Sequence, residues 1–171
     1  MEGKIKILNP RTGISVELEI NLYNYNLNNE RSIFESSTYA NNALDYFLKT
    51  ASASYHENKL RGIFEIFYSN KYIGYFSFYF SNIDFNRRGY EKEIQTFINL
   101  DYFAIDKSYQ RQKIGNAVLG YIIKNFSQLS KMYNCISGII LTPLNVQVAK
   151  FYEDFGFIEM TDTSQYILIF E

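Results

Sequence analysis

Two stretches of alternating or aromatic-rich sequence predict β-hairpins in the first half of the chain. Residues 4–8 and 14–20 alternate apolar and polar positions on either side of the turn-forming sequence "NPRTG", which predicts a hairpin with the turn in the middle. Residues 62–69 and 72–80 are rich in aromatic and β-branched side chains around Asn70 and Lys71, which predicts a second hairpin.

The second half of the chain predicts a strand, a helix and a second strand in succession. The strands cover residues 97–106 and 135–141, and the helix between them covers 114–130, with one apolar stripe consisting of Ile114, Val118, Ile122, Phe126 and Leu129. The second strand is apolar on both faces, as in a parallel sheet. Such a crossover is nearly always right-handed and joins parallel strands, so both strands end at one edge. Ligands of open α/β sheets bind beyond that edge, which directs attention to loops 107–113 and 142–145.

The remaining segments complete one expected domain covering residues 1–171. Leu44, Phe47 and Leu48 share a helix face, residues 82–95 read as a charged connector, and residues 145–155 predict a short helix stopped by Gly156. Two short strands, "GFIEM" and "YILIFE", end the chain around the turn "TDTS". We expect an α/β protein with a mixed sheet, an N-terminal hairpin extension in 1–30 and a functional core in 97–157.

Composition limits the classes of function. Of the 171 residues, 47% are hydrophobic and 18% aromatic, and the formal net charge is −1. The chain therefore has no global field that would attract nucleic acid or a membrane. Cys135 and His56 are single residues of their kinds, so they cannot form a disulfide framework or a Cys/His metal site. We expect Cys135 to pack in a strand, His56 to lie at the surface, and the protein to be cytoplasmic, since no apolar signal segment opens the sequence.

The segment 109–119, "YQRQKIGNAVL", carries the clearest chemical signal. The first amides of the helix that begins near Ile114 lack intrahelical acceptors and lie at a positive dipole end, which favours a phosphate. Gly115 allows close backbone approach, and Arg111 and Lys113 can neutralise charge. An ordinary loop with solvated cations is the alternative, because the segment has neither the three glycines of a dinucleotide turn nor the GK[ST] ending of a P-loop.

Two motifs in this region resemble those of the GNAT acyltransferase superfamily. The loop resembles the pattern Q/R-x-x-G-x-G/A, with Gln110 at the first position, Gly115 at the second small position, and Lys113 in place of the usual first glycine. The sequence "LTPLNVQVAKFYEDFGF" resembles the second signature, an asparagine followed by a helix ending in F-Y-E-x-x-G-F. Its matching residues are Asn145, Phe151, Tyr152, Glu153, Gly156 and Phe157. The resemblance covers about residues 62–171.

The resemblance implies a fold and a cofactor. It implies a mostly antiparallel sheet with one splayed parallel pair of strands, an acetyl-CoA donor and no metal. The pantetheine arm would pair with the backbone of Phe103, Ala104 and Ile105 and would hydrogen-bond Asn145, whose other role is to cap the following helix. The pyrophosphate would lie on the amides of Gln110, Arg111, Gln112, Lys113, Ile114, Gly115 and Asn116.

The resemblance also assigns the chemistry, which is acetyl transfer to a primary amine by direct attack. Tyr152 would protonate the leaving CoA thiolate as a general acid, although its stripe with Val148 and Phe155 is equally that of a core residue. Asp101 lies on the same strand face as Phe103 and is a candidate for accepting the amine proton. A strand carboxylate near a sheet end without catalytic function is the alternative.

The sequence gives the least information about the amine acceptor. Residues in the N-terminal half resemble the opening of GNAT toxins that acetylate aminoacyl-tRNA, namely Phe34, Leu44, Asp45, Phe47, Leu48 and Ala51. Several cations are candidates for a tRNA surface: Arg87, Arg88, Lys107, Arg111, Lys113 and Lys124. The balance of 17 Lys and Arg against 18 Asp and Glu favours a small-molecule or protein amine instead. A non-catalytic acyl-CoA-binding module is a further alternative, and strands 62–80 suit either a homodimer interface or burial in the sheet.

Overall fold

The computed structural model describes residues 1–9, 12–23, 47, 58, 60–85, 93–161 and 163–171. The strands and helices of these residues, in chain order, are β1 (Gly3–Leu8), β2 (Ser15–Leu22), β3 (Gly62–Tyr68), β4 (Lys71–Phe85), β5 (Glu93–Ile105), α1 (Ile114–Tyr133), β6 (Gly138–Leu141), α2 (Val146–Glu153), β7 (Ile158–Glu159) and β8 (Tyr166–Ile169). A 3₁₀ turn, Lys107–Tyr109, precedes α1.

The described strands form one eight-stranded sheet in the order β1-β2-β3-β4-β5-β6-β8-β7. β5 and β6 are parallel, whereas β1–β2, β2–β3, β6–β8 and β7–β8 are antiparallel. Within the described part of the chain, the crossover between the parallel strands contains α1. The predicted mixed sheet with one parallel pair is therefore confirmed.

Both predicted hairpins are present. β1 and β2 pair from Gly3↔Ile20 to Leu8↔Ser15. The turn between β3 and β4 consists of Ser69 and Asn70, whose φ angles of 49° and 63° are those of a two-residue hairpin turn that matches the twist of its strands. The turn lies one residue earlier than the predicted pair Asn70 and Lys71.

The chain divides into two compact units, and β4, β5 and α1 each contribute residues to both. Unit 1 contains Met1–Ser77 and Tyr102–Ile122. Its core is an aromatic cluster comprising Tyr23, Phe47, Ile63, Tyr72, Tyr75 and Ala104, with Phe67 and Tyr102 packed against it. The Phe47 ring stacks on Tyr102 with centroids 3.9 Å apart. Buried residues of strands 62–80 thus belong to the sheet and this core, although Phe80 remains 55% exposed.

Unit 2 contains Phe78–Asp101 and Ile123–Glu171 and holds the parallel pair. β5 and β6 are in register from Phe97↔Gly138 to Asn99↔Ile140. All four residues of β6 are buried, as the apolar pattern predicts for a parallel strand. Gly138 is required there, because a Cβ atom on it would collide with the carbonyl oxygen of Leu168 in β8.

Several element boundaries differ from the prediction. β4 runs to Phe85 and β5 begins at Glu93, so both ends of the predicted connector 82–95 are strand. The Thr96 hydroxyl donates to Asn82 Oδ1 across these strands at 2.9 Å. Polar side chains can line a strand face that is not fully buried, and the charged composition concealed this extension.

The end of α1 accounts for a further correction. α1 continues to Tyr133 rather than 130, and Asn134 stops it with a left-handed φ of 47°. β6 then begins at Gly138 rather than 135. Cys135 consequently lies between helix and strand and is exposed, so the prediction that it packs in a buried strand is wrong.

Candidate active site

The loop that leads into α1 in unit 1 is fixed by its own side chains. Asp106 Oδ1 accepts a hydrogen bond from the backbone N–H of Ser108 at 2.9 Å, and it also accepts from the Ser108 hydroxyl. Gln110 Nε2 donates to the carbonyl of Ile105 at 2.8 Å, and Gln112 Nε2 donates to the carbonyl of Ser108 at 2.9 Å. These bonds hold the path from β5 to α1 in one conformation.

Two non-glycine residues in this loop have left-handed backbones. Arg111 has φ of 58° and Lys113 has φ of 62°. Lys113 occupies the place of the missing glycine in the GNAT pattern, and its backbone adopts a conformation that glycine reaches without strain. Tight turns with left-handed residues can present successive backbone amides to an anion. The loop thus reaches a left-handed conformation without the glycine, at a cost of roughly 1–2 kcal/mol for each left-handed residue.

The amino end of α1 presents donors beside this loop. The first helical hydrogen bond runs from the Ala117 N–H to the Lys113 carbonyl at 3.0 Å. The N–H groups of Ile114, Gly115 and Asn116 donate to no residue that the structure describes. Ile114 is 2% exposed and anchors the first turn in the core. Three consecutive amides at the positive end of a helix of 20 residues can therefore bind an anion.

Four exposed cations of unit 1 belong to this region: Lys71, Lys107, Arg111 and Lys113. None of them forms an ion pair with a residue in the described ranges. The Lys71 ammonium lies 5.4 Å from the centroid of the Tyr109 ring, so the hairpin turn before β4 contacts the 3₁₀ turn before α1. A concentration of cations without carboxylate partners favours binding of a polyanion.

The end of β5 contains Phe103, Ala104 and Ile105, the residues that the resemblance assigns to pantetheine. Ala104 is 5% exposed, and Phe103 and Ile105 are half-buried. A Cβ atom on Gly74 would collide with the carbonyl oxygen of Ala104, so β4 and β5 approach closely at this point. The carbonyl of Ile105 already accepts from Gln110. The Gln110 side chain therefore also closes the loop, a structural role that was not predicted from the sequence.

Asn145 in unit 2 is the N-cap of α2. Its Oδ1 accepts a hydrogen bond from the Val148 N–H at 2.9 Å, and its backbone is extended. This confirms the capping role. The Asn145 side chain is exposed, and its amide nitrogen donates to no described residue. Capping uses only the oxygen, so the nitrogen remains available to a ligand.

Tyr152 is buried near the end of α2. It is 7% exposed, and its ring makes edge contacts with Phe151 at 5.2 Å and Phe157 at 5.6 Å between centroids. Its hydroxyl makes no hydrogen bond to any residue in the described part of the chain. Burial raises the pKa of Tyr152 well above its ordinary value of 10.0, since the phenolate would be poorly solvated. The group is thus a protonated donor at neutral pH.

The other residues of the second motif end α2 and join it to β8. Gly156 has φ of 88°, and its N–H donates to the carbonyl of Glu153 at 2.8 Å. The Tyr166 hydroxyl donates to Glu153 Oε1 at 3.4 Å. This contact of Tyr166 could not be predicted, because a tyrosine in a short terminal strand has no spacing signal that links it to the helix.

The other candidate residues lie in different parts of the chain. Asp101 is half-buried in unit 2, two residues beyond the last parallel register pair, Asn99↔Ile140. Lys124 is exposed on α1. His56, Arg87 and Arg88 lie outside the described residues, as do the toxin-like positions other than Phe47. Among the described residues, no group of three or more His, Cys, Asp or Glu side chains is arranged to hold a metal ion.

These observations agree with comparisons to known proteins. The model of the acetyltransferase (GNAT) domain matches residues 61–159, and the chain therefore belongs to the GNAT acetyltransferase family. No curated protein matches the sequence significantly. None of the described helices is long and apolar enough to cross a membrane.

Solved structures with the same fold include several bacterial toxins. A tyrosine-to-phenylalanine mutant of the AtaT toxin, bound to the C-terminus of the antitoxin AtaR and acetyl-CoA, is 21% identical with a TM-score of 0.72, covering 89% of this chain and 92% of that one. AtaT complexed with acetyl-methionyl-tRNAfMet is 19% identical with a TM-score of 0.74, covering 89% and 94%. A tyrosine-to-phenylalanine mutant of KacT is 20% identical with a TM-score of 0.72, covering 89% and 94%.

Proposed function

We propose that the protein transfers an acetyl group from acetyl-CoA to a primary amine, with Tyr152 as the general acid. The observation that carries the proposal is the Tyr152 side chain, which is 7% exposed and whose hydroxyl forms no hydrogen bond to any described residue. A buried phenol of this kind usually finds a partner in the folded protein. A leaving thiolate would be that partner.

The acetyl-CoA would be held through its anionic and amide groups. The pyrophosphate lies on the amides of Ile114, Gly115 and Asn116, with the side chains of Arg111 and Lys113 neutralising its charge. The pantetheine arm pairs with the backbone of residues 103–105 and receives a hydrogen bond from the Asn145 amide. Support comes from the arrangement within each unit and from the solved AtaT toxin, which shares the fold and contains acetyl-CoA.

The reaction requires two proton movements. The amine nitrogen attacks the thioester carbonyl and forms the new C–N bond, and the C–S bond then breaks to release a thiolate. Tyr152 donates its proton to that sulfur, and the excess proton of the attacking nitrogen passes to Asp101 directly or through water. Positioning the amine beside the thioester supplies much of the remaining acceleration, so no covalent enzyme intermediate is needed.

The direct test combines binding with turnover. Calorimetry with CoA and acetyl-CoA measures donor affinity, and thiol release in the presence of mixed primary amines measures transfer. Tyr152→Phe should reduce kcat by roughly 10²–10⁴ while leaving acetyl-CoA affinity nearly unchanged, because only the hydroxyl is removed. Tyr133→Phe, at a tyrosine that is 63% exposed, is the matched control and should have full activity.

Two results would contradict the proposal. Absence of measurable affinity for acetyl-CoA and CoA would remove the donor site. Binding without turnover on any amine would instead indicate a non-catalytic acyl-CoA-binding module.

The cations near α1 favour aminoacyl-tRNA as a second candidate acceptor. The protein has a net charge of −1, yet Lys71, Lys107, Arg111 and Lys113 are exposed in one region without carboxylate partners among the described residues. The affinity of a protein for a nucleic acid depends on clustered cationic side chains that contact its phosphates. AtaT, which shares the fold, has been solved in complex with acetyl-methionyl-tRNAfMet.

Expression in a bacterium tests this second candidate. If aminoacyl-tRNA is the acceptor, induction should arrest growth and produce acetylated aminoacyl-tRNA, and both effects should disappear with Tyr152→Phe. Normal growth without tRNA modification, together with turnover on small amines in vitro, would exclude the tRNA acceptor and leave acetyl transfer intact.

A further inference from the structure

The last turn of α2 rests on one tyrosine of β8. The Tyr166 side chain is 8% exposed, and its hydroxyl donates to Oε1 of Glu153, the last residue of α2, at 3.4 Å. Glu153 immediately follows Tyr152. The contact therefore joins the sheet to the turn of helix that carries the proposed acid.

The position of Tyr166 in the sheet makes it a suitable support. It lies opposite Leu141 in β6 and opposite Glu159 in β7. Two residues further along the same face of β8, Leu168 lies beneath Gly156, since its Cδ1 would be 3.6 Å from a Cβ atom placed there. One face of β8 thus supports the helix end and the turn that follows it.

The helix needs such support. α2 has eight residues, and helices this short are not stable without tertiary contacts. The Tyr152 ring touches Phe151 and Phe157 by their edges. A polar contact at the adjacent residue adds a directional restraint on the rotation of the helix that carries this ring.

We propose that Tyr166, acting through Glu153, is a positioning residue that holds the Tyr152 hydroxyl where the CoA thiolate leaves. This inference rests on the proposed role of Tyr152 as the general acid. It assigns no contact between Tyr166 and the substrates. Burial, together with the carboxylates of Glu159 and Glu153, raises the pKa of Tyr166, so its hydroxyl remains a donor throughout the neutral range.

Three single variants test the inference on the full-length chain. Tyr166→Phe keeps the ring and removes the donor, whereas Glu153→Ala removes the acceptor. Each should lower kcat roughly three- to tenfold, corresponding to one hydrogen bond of modest net strength, with KM for acetyl-CoA unchanged. Glu153→Gln retains an oxygen acceptor and should recover most of kcat. A structural role alone would lower stability without this division between kcat and KM or this rescue.

The double variant Tyr166→Phe/Tyr152→Phe identifies the residue through which Tyr166 acts. If Tyr166 only positions Tyr152, removing its hydroxyl should cause no further loss of kcat once the acid is absent. An equal additional loss in that background, or full activity of Tyr166→Phe alone, would overturn the positioning role.

The same measurements separate this inference from the proposed function. If Tyr152→Phe is inactive and Tyr166→Phe is fully active, only the positioning role fails. If Tyr152→Phe itself retains full activity, the acid role and the positioning role are overturned together.

Discussion

At the scale of single residues, the local environment decides what a side chain can do. Tyr152 and Tyr133 are chemically identical, but one is 7% exposed and the other 63%. Burial deprives the Tyr152 phenol of the solvation that would stabilise its ionised form. The motif F-Y-E-x-x-G-F selected Tyr152 from the tyrosines of the chain as the candidate acid. The raised pKa, in contrast, depends on packing that no local pattern encodes.

The shifted pKa of Tyr152 gives a prediction for the pH dependence of the reaction. Because burial raises this pKa, the acid stays protonated up to and beyond the ordinary value of 10.0. Loss of the proton would lower kcat as pH rises, so kcat should not decline on account of Tyr152 up to about pH 9.5. A pH profile of kcat at saturating amine measures this. A declining limb below that pH in the wild type, absent from Tyr152→Phe, would contradict it.

Lys113 provides a prediction about backbone strain. Its φ of 62° favours glycine and penalises β-branched residues. Both Lys113→Gly and Lys113→Val remove the charge, so the comparison isolates the backbone. We expect the glycine variant to be more stable by about 1–2 kcal/mol, partly offset by the greater freedom of glycine in the unfolded chain.

Urea unfolding measures this difference, and calorimetry with CoA should rank the two variants in the same order. Equal unfolding midpoints would show that residue 113 has no left-handed preference in solution.

At the scale of secondary structure, the sequence predicted which elements form better than where they end. The apolar stripe of α1 recurs along the whole helix, and β6 is a continuous apolar run. Both patterns are easy to recognise in the sequence, and both elements are present. The ends of β4, β5 and α1 depend on cross-strand partners such as Asn82 and Thr96 and on the left-handed Asn134. These are contacts and dihedral angles rather than periodicities, which is why the predicted boundaries were displaced.

Substitutions of Asn145 can separate its role as the cap of α2 from its proposed role in binding acetyl-CoA. Its side chain caps α2, and replacing such a cap with alanine typically costs about 1 kcal/mol. Asn145→Ala should therefore lower both stability and acetyl-CoA affinity. Asn145→Ser keeps a capping oxygen but lacks the amide nitrogen, so it should preserve stability and still weaken acetyl-CoA binding. Unfolding and calorimetry on both variants decide the matter, and unchanged affinity in the serine variant would restrict Asn145 to capping.

At the scale of the whole molecule, net charge conceals local charge. The total of −1 argued against a polyanionic acceptor, yet the described cations near α1 are not neutralised by carboxylates. The sequence placed Lys107, Arg111 and Lys113 together because they are neighbours in the chain. It did not place Lys71 with them, because that contact depends on a hairpin turn meeting the loop through Tyr109. Tertiary proximity of this kind could not be predicted from one sequence.

Salt dependence distinguishes the two kinds of acceptor. If Lys71 and Lys107, the two cations not assigned to the coenzyme, contact phosphates of a single-stranded tRNA end, raising salt from about 50 to 200 mM should raise KM for that acceptor roughly sevenfold. KM for a small primary amine that carries no phosphate groups should change little over the same range. Steady-state kinetics with both acceptors measures this, and Lys71→Ala should reduce the slope for tRNA alone. A flat response with tRNA would show that these cations do not touch its phosphates.

The loop between β5 and α1 has a consequence for the speed of ligand capture. Asp106, Gln110 and Gln112 tie it to its own backbone, so its conformation is fixed before any ligand arrives. Little conformational entropy then has to be lost on association, and the encounter rate, rather than a closing movement of this segment, should limit how fast a nucleotide-bearing thioester is captured. Substitutions that remove these side-chain hydrogen bonds should lower the association rate of the ligand, although they remove no group that touches its phosphates.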